Sequence, residues 1–359
     1  MLSSRERCLR AIALEEPDRV PLILRIRPEP LEALKRYLQI SDEEKIHRAL
    51  GIDIRSVGIG LKGGYAVEGA EDMGDGCAYI GTREGWKVGR HIFGYETIWA
   101  PDHTYTYTFI HHPLQHMSIE EYVWPEIDET SIPNAEESCR KFEDYCVYGG
   151  VTHMFEEAWK LTGFDEFLIA MYKNPPFIEK ILDKLNQLRT EQAIILAEMG
   201  VDAVVDGDDV GTQGSMMMSP ALWRRYLKPR YAKMIKEIKR RGAKAHFHSD
   251  GWIEPIIPDL IEIGVDILNP VQPESMDPAK IKGLYGDRLC FDGTISIQRT
   301  MPHGTPEDVA KEVKERIRTL GPTGLILGPS HDMQPDVPIK NILTLYETAK
   351  KYGRNPKMA

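Results

Sequence analysis

Residues 242–251 read G-A-K-A-H-F-H-S-D-G, a short run framed by turn-forming residues. Gly242 opens it, and Ser249, Asp250 and Gly251 close it before the apolar Trp252 and Ile253. That profile predicts a buried strand leading through a loop into a helix. Side chains on a strand alternate between faces, so His246 and His248 point one way and Phe247 the other. Two imidazoles on one face can share a ligand or a metal ion. The H-x-H spacing alone is equally met by a hydrogen-bonded core histidine beside a loop histidine, so its weight depends on where the strand sits in the chain.

On either side of this strand the same unit repeats. Apolar runs at 20–26, 51–57, 147–151 and 201–205 precede it, and 265–268, 288–292 and 324–327 follow. Helical stretches lie between most of them, including 154–161, 164–173, 176–199, 253–263 and a long helix over 220–241 with Pro220 in its first turn. Ser41 and Glu44 have the spacing of a capping box. With the histidine strand these make the eight strands of a single (β/α)8 TIM barrel, an α/β fold, with a doubly wound sheet as the alternative. Residues 62–116 depart from the pattern. Their glycine turns and alternating runs at 95–99 and 105–110 predict a hairpin-rich insertion after strand 2, near the barrel mouth. The whole chain, 1–359, is therefore expected to form one domain. Within the insertion His91, His103, His111, His112 and His116 lack a spacing that converges, and read as surface or hairpin residues.

Composition narrows the function. A net charge of -10 without a long basic block excludes a nucleic-acid binder, which needs a Lys/Arg patch to neutralise phosphates. No window approaches a membrane span. Five scattered cysteines with no C-x-x-C fit reduced thiols, and the charged opening lacks the apolar stretch of a secretion signal, so a cytoplasmic location is expected. A homodimer is carried as the expectation for assembly.

In a barrel of this kind the active site is built at the carboxyl ends of the strands. Those ends hold Arg25 and Arg27, Asp53, His153, Asp206, Asp208 and Asp209, His246, His248 and Asp250, Asn269 and Gln272, Asp292, and His331 with Asp332. Arg25 and Arg27 suit an anionic group or the snorkelling of a rim residue. Three carboxylates at 206, 208 and 209 repel one another unless met by a cation, donors or shared protons; helix caps and turns are the plainer use. Three imidazoles, or two with a carboxylate, suit a catalytic zinc with an open fourth position. His246, His248, Asp208, Asp209 and His331 are the expected catalytic groups. Arg25, Arg27, Asp53, Asp206, Asp250, Gln272 and Asp292 are the expected substrate contacts.

The chain also resembles the uroporphyrinogen decarboxylase superfamily. The resemblance rests on S-R-E-R-C-L-R-A-I-A-L-E-E-P-D-R-V-P at 4–21, F-E-E-A-W-K-L-T-G-F-D-E-F-L at 155–168, G-D-D-V-G-T-Q at 207–213 and M-S-P-A-L-W-R-R-Y-L-K-P-R-Y at 218–231. It continues through H-F-H-S-D-G at 246–251, L-N-P-V-Q at 268–272, Y-G-D-R-L-C-F-D-G-T-I-S-I-Q at 285–298 and P-S-H-D-M-Q-P-D-V-P-I-K-N-I at 329–342. It implies a single (β/α)8 barrel and either decarboxylation or corrinoid-dependent methyl transfer. Of the decarboxylase's arginine-rich stretch and F-S-D-I aspartate, only an arginine and Asp53-Ile54 are kept, which ranks a lyase acting on a tetrapyrrole or smaller acid second. The methyltransferase branch carries zinc ligands H-x-C on strand five and a cysteine after strand eight. His246 matches the first, and His248 and His331 stand where the thiolates would be. The resemblance thus implies zinc at His246, His248 and His331, a harder Lewis acid than a thiolate site gives, suited to an oxygen-bound methyl group. The expected reaction moves methyl from a small donor, such as a methoxylated aromatic, to the cobalt of a separate corrinoid protein, an O-demethylation.

Overall fold

A computed structural model describes residues 2–100 and 107–354. His103, the first part of the run at 105–110 and the extreme ends of the 1–359 domain lie outside the described residues. Seven parallel strands form one curled sheet: Ile54–Gly58 (β1), Cys146–Gly150 (β2), Ala203–Gly207 (β3), Lys244–His248 (β4), Ile267–Asn269 (β5), Cys290–Asp292 (β6) and Leu325–Ile326 (β7), paired in chain order. The histidine strand β4 lies between β3 and β5, with His246 opposite Val205 and Ile267. Strands flanked on both sides must be apolar on both faces, and Ala203, Val204, Ala245, Phe247, Ile267 and Leu268 are buried accordingly.

The segment 20–26, expected as the first strand, is extended but makes only single parallel bridges, Leu22 with Leu327 and Ile26 with Met333. Pro21 has no N–H for a ladder, and Pro28 starts the next helix, Pro28–Leu38. On its other side, among the described residues, one backbone hydrogen bond joins it to the sheet, from Asp53 N–H to the Leu22 carbonyl at 2.9 Å. A seam therefore runs between this segment and β1. At the amino ends of the strands, helix Ser4–Ile12 packs Cys8 and Ile12 against Ile54, Cys146, Cys290 and Ile326.

Two helical expectations need correction. The stretch 220–241 is two helices, Pro220–Tyr226 and Lys228–Arg240, broken at Leu227 because Pro229 fits only in a first turn. Helix Glu43–Leu50 is capped by Asp42, which accepts from Glu44 N–H at 2.8 Å and Lys45 N–H at 3.3 Å; the Glu44 carboxylate turns to Arg48 and Arg55 instead of closing a box with Ser41.

Between β1 and β2 the chain leaves the parallel pattern. Cys77–Arg83, Trp86–His91, Glu96–Trp99 and Tyr107–His111 form an antiparallel sheet, and Leu61–Gly63 pairs with Pro125–Ile127. Phe93, Tyr95 and Trp99 pack into one core with Phe155, Ala158 and Leu161 of helix Phe155–Thr162. Each such aromatic contributes about 1.5–3 kcal/mol by leaving water, which fixes the excursion over the carboxyl end of β2.

Candidate functional site

The carboxyl ends of the strands meet a cavity of about 710 Å³ lined by Arg25, Tyr148, His153, Gly207, His246, His248, Asn269 and His331 among others. A second chamber of about 570 Å³ shares His153, His248 and His331 and runs under the antiparallel sheet to Tyr95, Tyr107, Glu156, Glu157 and Lys160.

His246 and His248 line the first cavity but differ in setting. His246 is buried, with Nε2 3.1 Å from Asp292 Oδ2. Asp292 is wholly buried and takes both Arg25 Nη1 at 3.0 Å and Nη2 at 2.7 Å. Burial alone would raise its pKa, but Arg25 and the His246 hydrogen bond outweigh it and pull it to about 2. Burial also dominates at His246, lowering its pKa against the pull of Asp292, so the ring is neutral at neutral pH. The close approach of these groups needs Gly293, at φ 74°, where a Cβ would stand 2.8 Å from Asn269 Nδ2 and 3.2 Å from Arg25 Nη1.

His248 Nδ1 lies 2.5 Å from Asn269 Oδ1, and Asn269 Nδ2 donates to the Asp292 carbonyl at 2.7 Å, so Nδ1 is the donor. The other nitrogen, Nε2, faces Asp209 Oδ1 at 3.5 Å, and the ring lies 5.8 Å from that of His331 between centroids. Burial raises the pKa of Asp209, opposed by His248. Asp209 also accepts the Asp250 N–H at 2.7 Å, and the buried Gln272 accepts that of Gly251 at 3.0 Å; Asp250 and Gln272 thus shape the loop after β4.

The other carboxylates are placed elsewhere. Asp206 is buried against Arg189, and burial raises its pKa to about 6 despite that partner. Asp208 is wholly buried and accepts the N–H groups of Met154, Phe155 and Glu156 at 3.1, 2.9 and 2.9 Å, capping helix Phe155–Thr162. Asp53 immediately precedes β1, at the amino end of the sheet, where Ser4, Arg7, Arg19 and the Leu22 N–H surround it. Arg27 reaches Asp75 at 2.8 Å and Asp332 at 3.6 Å over the second chamber. Of the strand-end carboxylates named from the sequence, Asp332 lines the first cavity and Asp209 the second; Asp292 acts through His246 and Arg25.

A group missing from the expected catalytic set stands between the chambers. His153 Nδ1 is 3.2 Å from Glu156 Oε1, and Lys160 bridges Glu156 and Glu157 at 3.1 and 3.2 Å. Burial opposes protonation of His153, but the hydrogen bond and charge of Glu156 outweigh it and raise its pKa to about 9. The ring packs over Gly207, where a Cβ would stand 3.0 Å from Nε2. The spacing of His153, Glu156, Glu157 and Lys160, three and four apart at a helix start, was the available signal.

A zinc site needs three or four protein donors converging on one point. Among the described residues no three His, Cys, Asp or Glu side chains are grouped as a metal would need. As placed, His246 Nε2 is committed to Asp292, which leaves Nδ1 as its open nitrogen, while the two nitrogens of His248 face Asn269 and Asp209. No helix of the described residues is long and apolar enough to cross a membrane.

These features define a TIM-like α/β protein with a polar, histidine-lined site at the carboxyl ends of its strands. The chain belongs to the uroporphyrinogen decarboxylase (URO-D) family, whose model matches residues 132–352. It is 23% identical over 214 residues to the uroporphyrinogen decarboxylase of Chlorobium phaeobacteroides, a match covering 58% of this chain and 56% of that one. The uroporphyrinogen decarboxylase of Chlorobaculum parvum is likewise 23% identical over 214 residues, again with 58% and 56% covered. The chain thus spans about half the length of the curated relatives it matches. A solved methyltransferase from Methanosarcina mazei shares the fold over 98% of this chain and 99% of its own, with a TM-score of 0.68 and 18% identity.

Proposed function

We propose that this protein is a corrinoid-dependent methyltransferase that takes methyl from a small neutral donor, such as a methoxylated aromatic, to the cobalt of a separate corrinoid protein. The observation that carries this reading is that the cations of the cavity walls already face carboxylates: Arg25 with Asp292, Arg55 with Glu44, Arg27 with Asp75, and Lys160 with Glu156 and Glu157. A porphyrinogen with many carboxylates would have to compete with these pairs, and breaking a buried one such as Arg25 with Asp292 costs roughly 3–5 kcal/mol. A neutral ether leaves them intact. The like fold of the Methanosarcina mazei methyltransferase agrees with the reading. We take the segment 20–26 as the eighth stave of the barrel and the antiparallel sheet as an insertion roofing its mouth.

The partner's corrinoid supplies a nucleophilic cobalt that accepts the methyl group. The donor oxygen keeps the bonding pair of the broken C–O bond and must gain a proton as charge develops. His153 is the group suited to give it, because it lines both chambers and is protonated at neutral pH. Below about pH 9 the imidazolium is present; above it the donor is lost. Demethylation should therefore fall as pH rises through about 9, and His153→Gln should lower the rate by on the order of a hundredfold and remove that alkaline limb. An unchanged pH profile in the variant would remove His153 from the mechanism.

Zinc at His246, His248 and His331 is the metal version of the same reading. Metal analysis decides: about one zinc per chain, with activity lost on chelation, supports it. The reading itself is tested by incubating the protein with cob(I)alamin and a panel of methyl donors while following methylcobalamin. Release of CO2 from uroporphyrinogen without methyl transfer would replace it with the lyase.

A further inference from the structure

Two residues of the larger cavity's wall each carry a buried polar atom with no partner among the described residues, Tyr148 Oη and His246 Nδ1. Their residues are 3% and 2% exposed, and the rings meet edge to face with centroids 5.4 Å apart. An unsatisfied buried polar group costs roughly 1–3 kcal/mol, so two orphans on adjoining rings of a cavity wall point to a ligand or ordered water.

The two atoms are of opposite kind. Asp292 is a carboxylate held by Arg25 and can only accept, so the 3.1 Å contact places the ring proton of His246 on Nε2. Nδ1 is then a bare lone pair. The buried Tyr148 hydroxyl carries a proton that needs an acceptor, while its oxygen can also accept. We propose that Tyr148 and His246 form a subsite for the hydroxyl group of a neutral alcohol or phenol, which accepts from Tyr148 Oη and donates to His246 Nδ1. A carboxylate has no proton for Nδ1, an ammonium can donate to both atoms but leaves the tyrosine proton without an acceptor, and an ether oxygen satisfies only one of the two. This rests on the methyltransferase reading only in naming the substrate: the donor is then a methyl ether that also carries a free hydroxyl.

The test is calorimetric titration of the full chain, without cobalamin, using 2-methoxyphenol, 1,2-dimethoxybenzene, phenol and benzoate as probes. The expected result is that 2-methoxyphenol binds on the order of ten- to a hundredfold more tightly than 1,2-dimethoxybenzene, and phenol more tightly than benzoate. Tyr148→Phe, which removes an orphan without changing the ring, should keep the melting temperature and cut the hydroxyl preference by about tenfold. Equal binding of the two ethers, no binding of either phenol, or a preference that survives Tyr148→Phe overturns the subsite. Methyl transfer to cobalamin is scored separately. Transfer without hydroxyl preference refutes the subsite alone, and preference without transfer refutes the reaction alone.

Discussion

Alanine at Asp208 is expected to leave little folded protein. The wild-type carboxylate accepts three backbone N–H groups at the start of helix Phe155–Thr162, the Tyr231 hydroxyl at 2.5 Å, and Arg189 Nη1 at 3.4 Å. Removing it orphans these donors and leaves the wholly buried Arg189 with Asp206 alone. A lost helix cap costs roughly 0.5–2 kcal/mol, and a broken buried ion pair roughly 3–5 kcal/mol, against a total stability of about 5–15 kcal/mol. Urea unfolding would register this as a large fall in midpoint, with Asp208→Asn between the two. A midpoint within error of wild type, together with lost turnover, would return Asp208 to the catalytic role that its place in the sequence suggested.

The second large effect is expected at Asp292. Alanine there strands the Arg25 guanidinium and removes the acceptor of His246 Nε2, a loss of roughly 3–5 kcal/mol. The pH dependence has a definite sign. The folded pKa of about 2 lies below the ordinary 3.8, so the ionised carboxylate contributes stability that is full above 3.8 and lost as pH falls through about 2. Asp292→Asn should flatten that part of the acid-stability curve. Pairing Asp292→Ala with Arg25→Met should recover part of the loss, since no guanidinium is then left without a counter-ion. Absence of any recovery would mean that the aspartate acts through His246 alone.

The repeating strands were legible because their apolar runs are short, bounded by turns and separated by amphipathic stretches. The run expected at 201–205 is Ala203–Gly207, and the one at 147–151 is Cys146–Gly150. The segment 20–26 was apolar enough to read as a strand, but hydropathy does not record that Pro21 lacks a ladder donor. The site was legible in part. His246, His248 and His331 do share a cavity, because strand alternation and parallel strand direction set where side chains emerge. Asp53 and Asp208 look like site residues from their neighbours in sequence, yet nothing local tells a catalytic carboxylate from a cap. Their donors come from residues 46 and 54 positions away. His153 was visible among the strand ends, but its value lies in Glu156, and a pair three apart at a helix start is common enough to pass unnoticed.

Among the described residues, the seam between residues 20–26 and β1 is crossed by hydrogen bonds at Asp53 and Leu22 alone, N–H to carbonyl one way and N–H to carboxylate the other, and its two banks, Leu24 and Ile26 on one side and Ile54 and Val57 on the other, belong to the wall of the larger cavity. Spreading them slides apolar surfaces apart and spares every rung of the ladders from β1 to β7. The strands bearing His246, Asn269 and Asp292 have their spacing set by continuous ladder pairing, whereas the wall at the seam is set by side-chain packing.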